Sequence, residues 1–360
     1  MKYLIFFASL SIANAAVISM SLFGGNYGDP HYTTLDGNSY TFNGYGEYTY
    51  LAISDERVKQ RSANFNPNQS YKFMSQIRTI PLQNTTTSAS KVTVTSGFAA
   101  RSNVADAQPI SVTVSRHKSL VICRGNEILK FISASSNSNN VTLVFHDVII
   151  EKNLTNEITT LSWPIGVIIQ ITPVKITKPI LGIVLNVIVS LSKIYKGQTY
   201  GLMGNYDDNA TNDLQNSKGE FIKPSDTVEH IHKRFGITWS IDPLKSLFYY
   251  EAGTESATFY HEQNQIFQPM FNDPRPIRRQ LDTAIFDACH ISTNASGNLS
   301  SWSVAQRMCY YDISVTNDFQ FGQSSLAAGE ELRQKQQHSA SNRFEPIIYM
   351  MAIILGRLFI

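Results

Sequence analysis

The stretch Gly28-Asp29-Pro30-His31-Tyr32-Thr33-Thr34-Leu35-Asp36-Gly37, running on through Tyr40-Thr41-Phe42-Asn43-Gly44 to Gly46-Glu47-Tyr48, admits two readings at its start. Asp and Pro are ordinary turn residues, so Gly28-Asp29-Pro30-His31 reads as the turn entering the first strand. The same residues contain an Asp-Pro bond, which is intrinsically fragile. An aspartyl carboxyl attacks its own backbone carbonyl to give a cyclic anhydride, and the proline nitrogen leaves comparatively well once protonated.

Outward from this stretch the pattern is strand after strand, from Ser39 to Tyr200. Val92-Thr93-Val94-Thr95, Ser111-Val112-Thr113-Val114 and Val141-Thr142-Leu143-Val144-Phe145 alternate or are β-branched throughout. Gly125-Asn126 lies between two such runs, where glycine supplies the positive φ of a tight hairpin. Gly166 to Ile171 and Leu181 to Leu191 are nearly continuous apolar runs, suited to strands covered on both faces or to the centre of a two-sheet core. Farther on, Ser225 to Phe235 predicts a short helix with Ser225 or Asp226 near its N-terminus and Gly236 closing it. Ile277, Leu281, Ala284, Ile285 and Ala288 fall at helical spacing and predict a small α-containing subdomain. From Gln334 the composition turns polar and reads as an exposed linker.

Of 360 residues, 42% are hydrophobic and 16% charged, which suits a folded chain. The net charge of +2, with no long basic run, argues against nucleic acid as a partner. Lys2, the apolar stretch Tyr3 to Ile12 and Ala13-Asn14-Ala15 have the order of a secretory signal peptide over residues 1–15. The competing reading is a buried N-terminal strand. Asn-x-Ser/Thr sequons at Asn68, Asn84, Asn140, Asn153, Asn209, Asn294 and Asn298 agree with secretion, although chance produces some in so Asn- and Ser-rich a chain. In an oxidising compartment Cys289 and Cys309 are expected to pair, leaving Cys123 odd, a small buried hydrophobe in preference to the alternative of an intermolecular bridge. The apolar tail Ile347–Ile360, 14 residues carrying Arg357, would span about 21 Å as a helix against roughly 30 Å of bilayer core. It reads as an incomplete or atypical C-terminus, with membrane association through it left open.

Asn205-x-Asp207-x-Asn209-x-x-Asn212-Asp213 sets oxygen donors at alternating positions, as a hard cation with six to eight oxygen ligands requires. A divalent ion would relieve the repulsion among Asp207, Asp208 and Asp213. Such loops also arise from plain turn chemistry, because these side chains bond their own backbone.

The opening stretch, together with Tyr200-Gly201-Leu202-Met203-Gly204-Asn205-Tyr206-Asp207, Asn212-Asp213, Phe235-Gly236 and Trp239, resembles the two ends of a von Willebrand factor type D domain. The resemblance extends over about residues 24–330. Ser246-Leu247-Phe248-Tyr249-Tyr250, Phe267 to Phe271 and Cys289 through Cys309-Tyr310-Tyr311-Asp312 are similar to the region after the domain in cysteine-poor members, among them membrane mucins and a sushi-domain protein. This chain lacks the dense cysteines of the large secreted members, which puts disulfide-driven multimerisation in doubt. The resemblance implies a mainly β fold, an antiparallel β-sandwich over residues 24–245, followed by a C-terminal subdomain with the cysteine pair over 246–333 and a linker with the apolar tail over 334–360. It implies a Ca2+ site in which Asp36 joins Asn205, Asp207, Asn212 and Asp213, with Asn209 through its carbonyl; a glycan at Asn209 would have to point away. It also nominates the Asp29-Pro30 bond for self-cleavage, with Asp29 as nucleophile and His31 as proton donor, in a single event.

The signatures of turnover enzymes fail. His261-Glu262 is followed by Gln265 where a second zinc-ligating histidine would stand, and His230 and His232 are two apart, without a complete ligand set. There is no nucleophile elbow, phosphate loop or dinucleotide fingerprint. The function expected is an extracellular adhesion or matrix-assembly scaffold whose partners are extracellular proteins or glycoproteins, its oligomeric state open. The alternative is a lipid- or cargo-transport module of the yolk-lipoprotein type, which bound lipid after purification would reveal.

Overall fold

The β-branched runs fold as strands because branched side chains pack well on a pleated surface. In the computed structural model the described residues are 21–54, 71–82, 92–133, 139–177, 182–254, 267, 269, 271, 279–292 and 301–341. In chain order the strands are β1 (Ser21–Tyr27), β2 (His31–Thr33), β3 (Ser39–Thr41), β4 (Gly46–Ser54), β5 (Tyr71–Pro81), β6 (Thr93–Ser102), β7 (Ile110–Val114), β8 (Leu120–Arg124), β9 (Glu127–Ile128), β10 (Asn140–Val144), β11 (Ile149–Asn153), β12 (Thr159–Trp163), β13 (Val167–Ile176), β14 (Gly182–Ser192) and β15 (Thr199–Tyr200). They form two antiparallel sheets, one ordered β10-β11-β12-β13-β14-β1-β2-β3 and the other β15-β4-β5-β6-β7-β8-β9. The helices are α1 (Val228–Arg234), α2 (Arg279–Ala288), α3 (Val304–Thr316) and α4 (Phe319–Ser341).

The inner faces of the sheets share one core. Val187, Val189 and Leu191 of β14, with Ile169 and Ile171 of β13, meet Phe73 and Ile77 of β5, Phe98 of β6 and Val112 of β7. Ile188, between Val187 and Val189, points to the opposite face, where it packs with Tyr27, Met308, Ala328 and Leu332. Both readings of the apolar run therefore hold: β14 lies within the sandwich, and its outer face is roofed by α3 and α4.

Capping fixes that roof. Ser303 and Gln306 form a reciprocal capping box at the start of α3. Asn317, at φ 55°, ends α3 in the left-handed conformation. Asp318 then starts α4, its carboxylate accepting from Phe321 N at 3.0 Å and from Thr177 N, just past β13, at 2.8 Å. The expected disulfide Cys289–Cys309 joins the end of α2 to α3, and Cys123 is free and buried.

The segment following the sandwich is tied back by a buried ion pair. Arg78 Nε donates to Glu47 Oε1 at 2.8 Å, and Tyr250 OH to Glu47 Oε2 at 2.8 Å. The guanidinium lies 4.2 Å from the Phe248 ring centroid. Desolvated charges persist when paired and hydrogen-bonded in this way.

Three expectations change. β1 begins at Ser21, and the Gly28-Asp29-Pro30 turn joins β1 to β2 rather than entering a first strand. Helix α1 starts after Thr227, whose hydroxyl caps it; Ser225 and Asp226 precede the cap, and Gly236 opens a 3-10 turn. Residues 334–341 are helix, not linker. Their Gln, Lys and Ala residues favour helix as readily as loop, and Gln336 Nε2 donates to Phe23 O at 2.8 Å, holding α4 against β1. Among the described residues no helix is long and apolar enough to cross a membrane; the signal-peptide and apolar-tail residues lie outside them.

Candidate functional site

Two groups of predicted residues sit at the two ends of β2. At its start, Tyr27 and His31 are cross-strand partners, so Gly28-Asp29-Pro30 is a three-residue hairpin loop. Gly28 has φ +63°, a conformation that disfavours a side chain, and its N–H donates to Asn186 Oδ1 at 3.3 Å. The whole loop is buried. What covers it is the C-terminal helical roof: Tyr27 OH donates to the Met308 sulfur, and the His31 ring meets Tyr311 edge-on.

Beneath that roof Asp29, His31 and Asp312 form a buried polar cluster. His31 Nε2 lies 3.1 Å from Asp312 Oδ1, and its Nδ1 lies 2.9 Å from Thr41 Oγ1. The Asp29 N–H donates to the same Asp312 Oδ1 at 3.3 Å. Ser325 Oγ donates to Asp312 Oδ2. The Asp29 carboxylate differs, since neither of its oxygens has a hydrogen-bond partner among the described residues. Burial first, and then the Asp312 charge, push its pKa well above the usual carboxylate range; Asn43, near but outside hydrogen-bonding geometry, opposes the rise. Both causes act against the charged form of Asp29.

Past the end of β2, Asp36 Oδ2 accepts from Asp207 N at 2.8 Å and Asn209 N at 3.1 Å. Asn205 and Asn212 each turn an amide toward Asp207 Oδ2, at 3.2 and 2.8 Å. Asp213 is buried, with Oδ2 on Thr34 Oγ1 and Oδ1 without a partner; Asn212 Oδ1 is likewise unpartnered among the described residues. Burial first, together with the Asp36 and Asp207 charges, pushes Asp213 up to about 8, against the Thr34 hydrogen bond. Asp36 is raised by burial as well.

Tertiary structure thus brings Asp36 to Asn205, Asp207, Asn212 and Asp213. Asn209 differs, because its side-chain oxygen caps the turn Ala210–Asn212 by accepting from Thr211. Asp208 turns outward to Lys196. Among the described residues no three His, Cys, Asp or Glu side chains converge on one metal position. A hard cation here would need the asparagine oxygens as well as the carboxylates, and the orphaned buried oxygens of Asn212 and Asp213 fit that need. The mixed oxygen donor set suits calcium.

Among the sequons, Asn140 and Asn153 are cross-strand neighbours, Asn153 Nδ2 donating to Asn140 Oδ1 at 2.9 Å, and Asn209 is exposed. Asn68, Asn84, Asn294 and Asn298 lie outside the described residues. Sequence reasoning missed Asp312, Ser325, Thr34 and Asn43 as site residues. Only Asp312 left a signal: an acid among Ala305, Cys309, Ile313 and Thr316, on the buried stripe of a helix.

Comparison with known proteins gives two kinds of match. The family model of the von Willebrand factor type D domain matches residues 25–220. Mucin-4 of Mus musculus is 25% identical over 332 residues, covering 89% of this chain and 8% of the relative. Sushi domain-containing protein 2 of Homo sapiens is 22% identical over 317 residues, covering 87% of this chain and 33% of the relative. The chain therefore spans a third or less of the length of these curated relatives.

Proposed function

Because the chain belongs to the von Willebrand factor type D domain family, we propose that it is an extracellular, calcium-stabilised adhesion or matrix-assembly scaffold that cuts itself once at Asp29-Pro30. The domain and the mucin relatives fit an extracellular role of adhesion or matrix type. The buried Cys289–Cys309 disulfide supports an oxidising setting. Extracellular proteins or glycoproteins are the partners that such a surface would meet.

The observation that carries the cleavage reading is the Asp29 carboxyl, buried beside Pro30 with both oxygens unpartnered. No hydrogen bond holds the carboxyl away from its own carbonyl carbon, and burial disfavours its charged form. In the step proposed, an Asp29 carboxyl oxygen bonds to the Asp29 carbonyl carbon and the bond to the Pro30 nitrogen breaks. The carboxyl proton passes to that nitrogen, which leaves as a secondary amine; for His31 to donate it, the ring must first release Asp312 or Thr41. Water then opens the anhydride to two carboxyl groups. Nothing is regenerated, so there is one turn and no turnover.

Calcium, when bound at the Asn205–Asp213 loop, would neutralise Asp36, Asp207 and Asp213. The residues that would hold it are Asp36, Asn205, Asp207, Asn212 and Asp213, with Asn209 through its backbone carbonyl.

The experiment is intact mass and N-terminal sequencing of the deglycosylated full chain secreted from expressing cells. A fragment beginning at Pro30, absent from Asp29→Asn, is expected. If Asp29→Asn is cut as fast as the parent between residues 29 and 30, the anhydride route is wrong.

A further inference from the structure

We propose that Asp312, delivered by helix α3 of the C-terminal subdomain, is the positioning residue of the Asp29-Pro30 site, so that cutting requires this subdomain to be docked on the sandwich. The inference rests on the self-cleavage reading and names the residue that makes the turn competent.

Asp312 is 283 residues distant in sequence from Asp29, yet a single carboxylate oxygen holds both parts of the reaction. Oδ1 takes the Asp29 N–H at 3.3 Å and the His31 Nε2 at 3.1 Å. The first contact fixes the backbone of the residue that supplies both nucleophile and electrophile. The second fixes the imidazole that follows the scissile bond in the chain. Oδ2 is held in turn by Ser325 of α4. Asp312 is fully buried, so its charge acts without the screening that water gives at a surface.

The surroundings are shaped for this arrangement. A side chain at Gly28 would collide with Asp312 Oδ2 and Ser325 Oγ, so the glycine lets the helices approach the turn. Thr41 holds the other imidazole nitrogen at 2.9 Å, leaving the ring little freedom to leave Asp312. Asp312 takes three hydrogen bonds here, and it also brings a second acid close to buried Asp29. The repulsion is tolerated where the fold gains an oriented His31. In the separate sandwich, Tyr27 and His31 would lose the roof, and the imidazole would have no partner at Nε2. The turn would then be an ordinary hairpin.

The test uses the full chain in pulse-chase, following the fragment that begins at Pro30, with parent, Asp312→Asn and Ser325→Ala. Asp312→Asn keeps shape and volume but removes the charge, and at least a 10-fold slower cut is expected. Ser325→Ala keeps the carboxylate and loses one anchor, giving a slowing of a few fold. A positional role is separated from a structural one in the uncut Asp29→Asn chain, where the 15N imidazole signals of His31 should move when Asp312→Asn is added while the melting temperature stays within a few degrees. If the parent is cut and Asp312→Asn is cut at the same rate, this inference falls and the self-cleavage reading stands. Slow cutting with unmoved His31 signals reduces Asp312 to a packing residue and also overturns it. Should Asp312→Asn fail to be secreted, Ser325→Ala decides, and cutting at the parental rate overturns the inference. A folded parent that is never cut removes the self-cleavage reading and the inference together.

Discussion

Asp213 has one carboxylate oxygen on the Thr34 hydroxyl and the other buried without a partner among the described residues. Its pKa near 8, against an ordinary value of 3.8, fixes the sign of a pH effect. Between those values the folded, ion-free protein holds a proton that the unfolded chain has released. The contribution of Asp213 to stability is therefore greatest below about pH 4, falls by up to about 1.4 kcal/mol per pH unit as pH rises, and levels off above about 8. Calcium bound as proposed would take the deprotonated loop, so its stabilisation should grow across the same window. Thermal melts with calcium and with chelator should show a larger calcium shift at pH 8 than at pH 5, and Asp213→Asn should abolish most of it. An equal shift at both pH values would count against the site. At the other end of β2, Gly28→Ala combines a positive-φ position with a collision against the helical roof, and should destabilise the fold by about 2–4 kcal/mol in denaturant titration.

Helix α3 is where element-scale stability and the proposed cleavage turn meet. The disulfide to Cys309 closes a separation of 20 residues and lies among Ile285, Ile291, Trp302 and Ile313. Replacing both cysteines by serine should cost the helical subdomain about 3 kcal/mol by loss of chain restraint, read from the helical signal in denaturant. The same variant should cut more slowly if α3 carries the positioning acid. Legibility in the sequence differed from element to element. β6, β7, β10 and α2 were readable because their periodicity is local. The stretch from Gln334 was not, because polar residues serve an exposed loop and the outer face of a packed helix equally well, and only contact with Phe23 and Gln170 distinguishes them.

At the scale of the whole molecule, β1 lies between β14 and β2 near one end of the longer sheet and under α4. Six residue pairs, Ser21↔Ser192 to Asn26↔Val187, join it to β14. A cut at Asp29-Pro30 leaves those hydrogen bonds intact. The two chains should therefore co-elute in native size exclusion and separate only in denaturant; separation under native conditions would show that β1 does not hold the N-terminal piece.

Part of this was settled by sequence alone. The β region follows from β-branched alternation, its arrangement as a sandwich from the family resemblance, the disulfide from the Cys289 and Cys309 neighbourhood, and the candidate site residues Asp29, His31, Asp36 and the Asn205–Asp213 loop from their local chemistry and the family resemblance. Tertiary structure decided what surrounds them. Asp36 meets a loop more than 160 residues away because the turn after β2 and the loop after β15 pack against each other, and the Asp29 turn is buried because α3 and α4 lie across it. Spacing along a chain reports which side chains share a face of one element. Burial, the loss of partners at Asp29 and the arrival of Asp312 depend on how elements stack, and no short-range pattern encodes that.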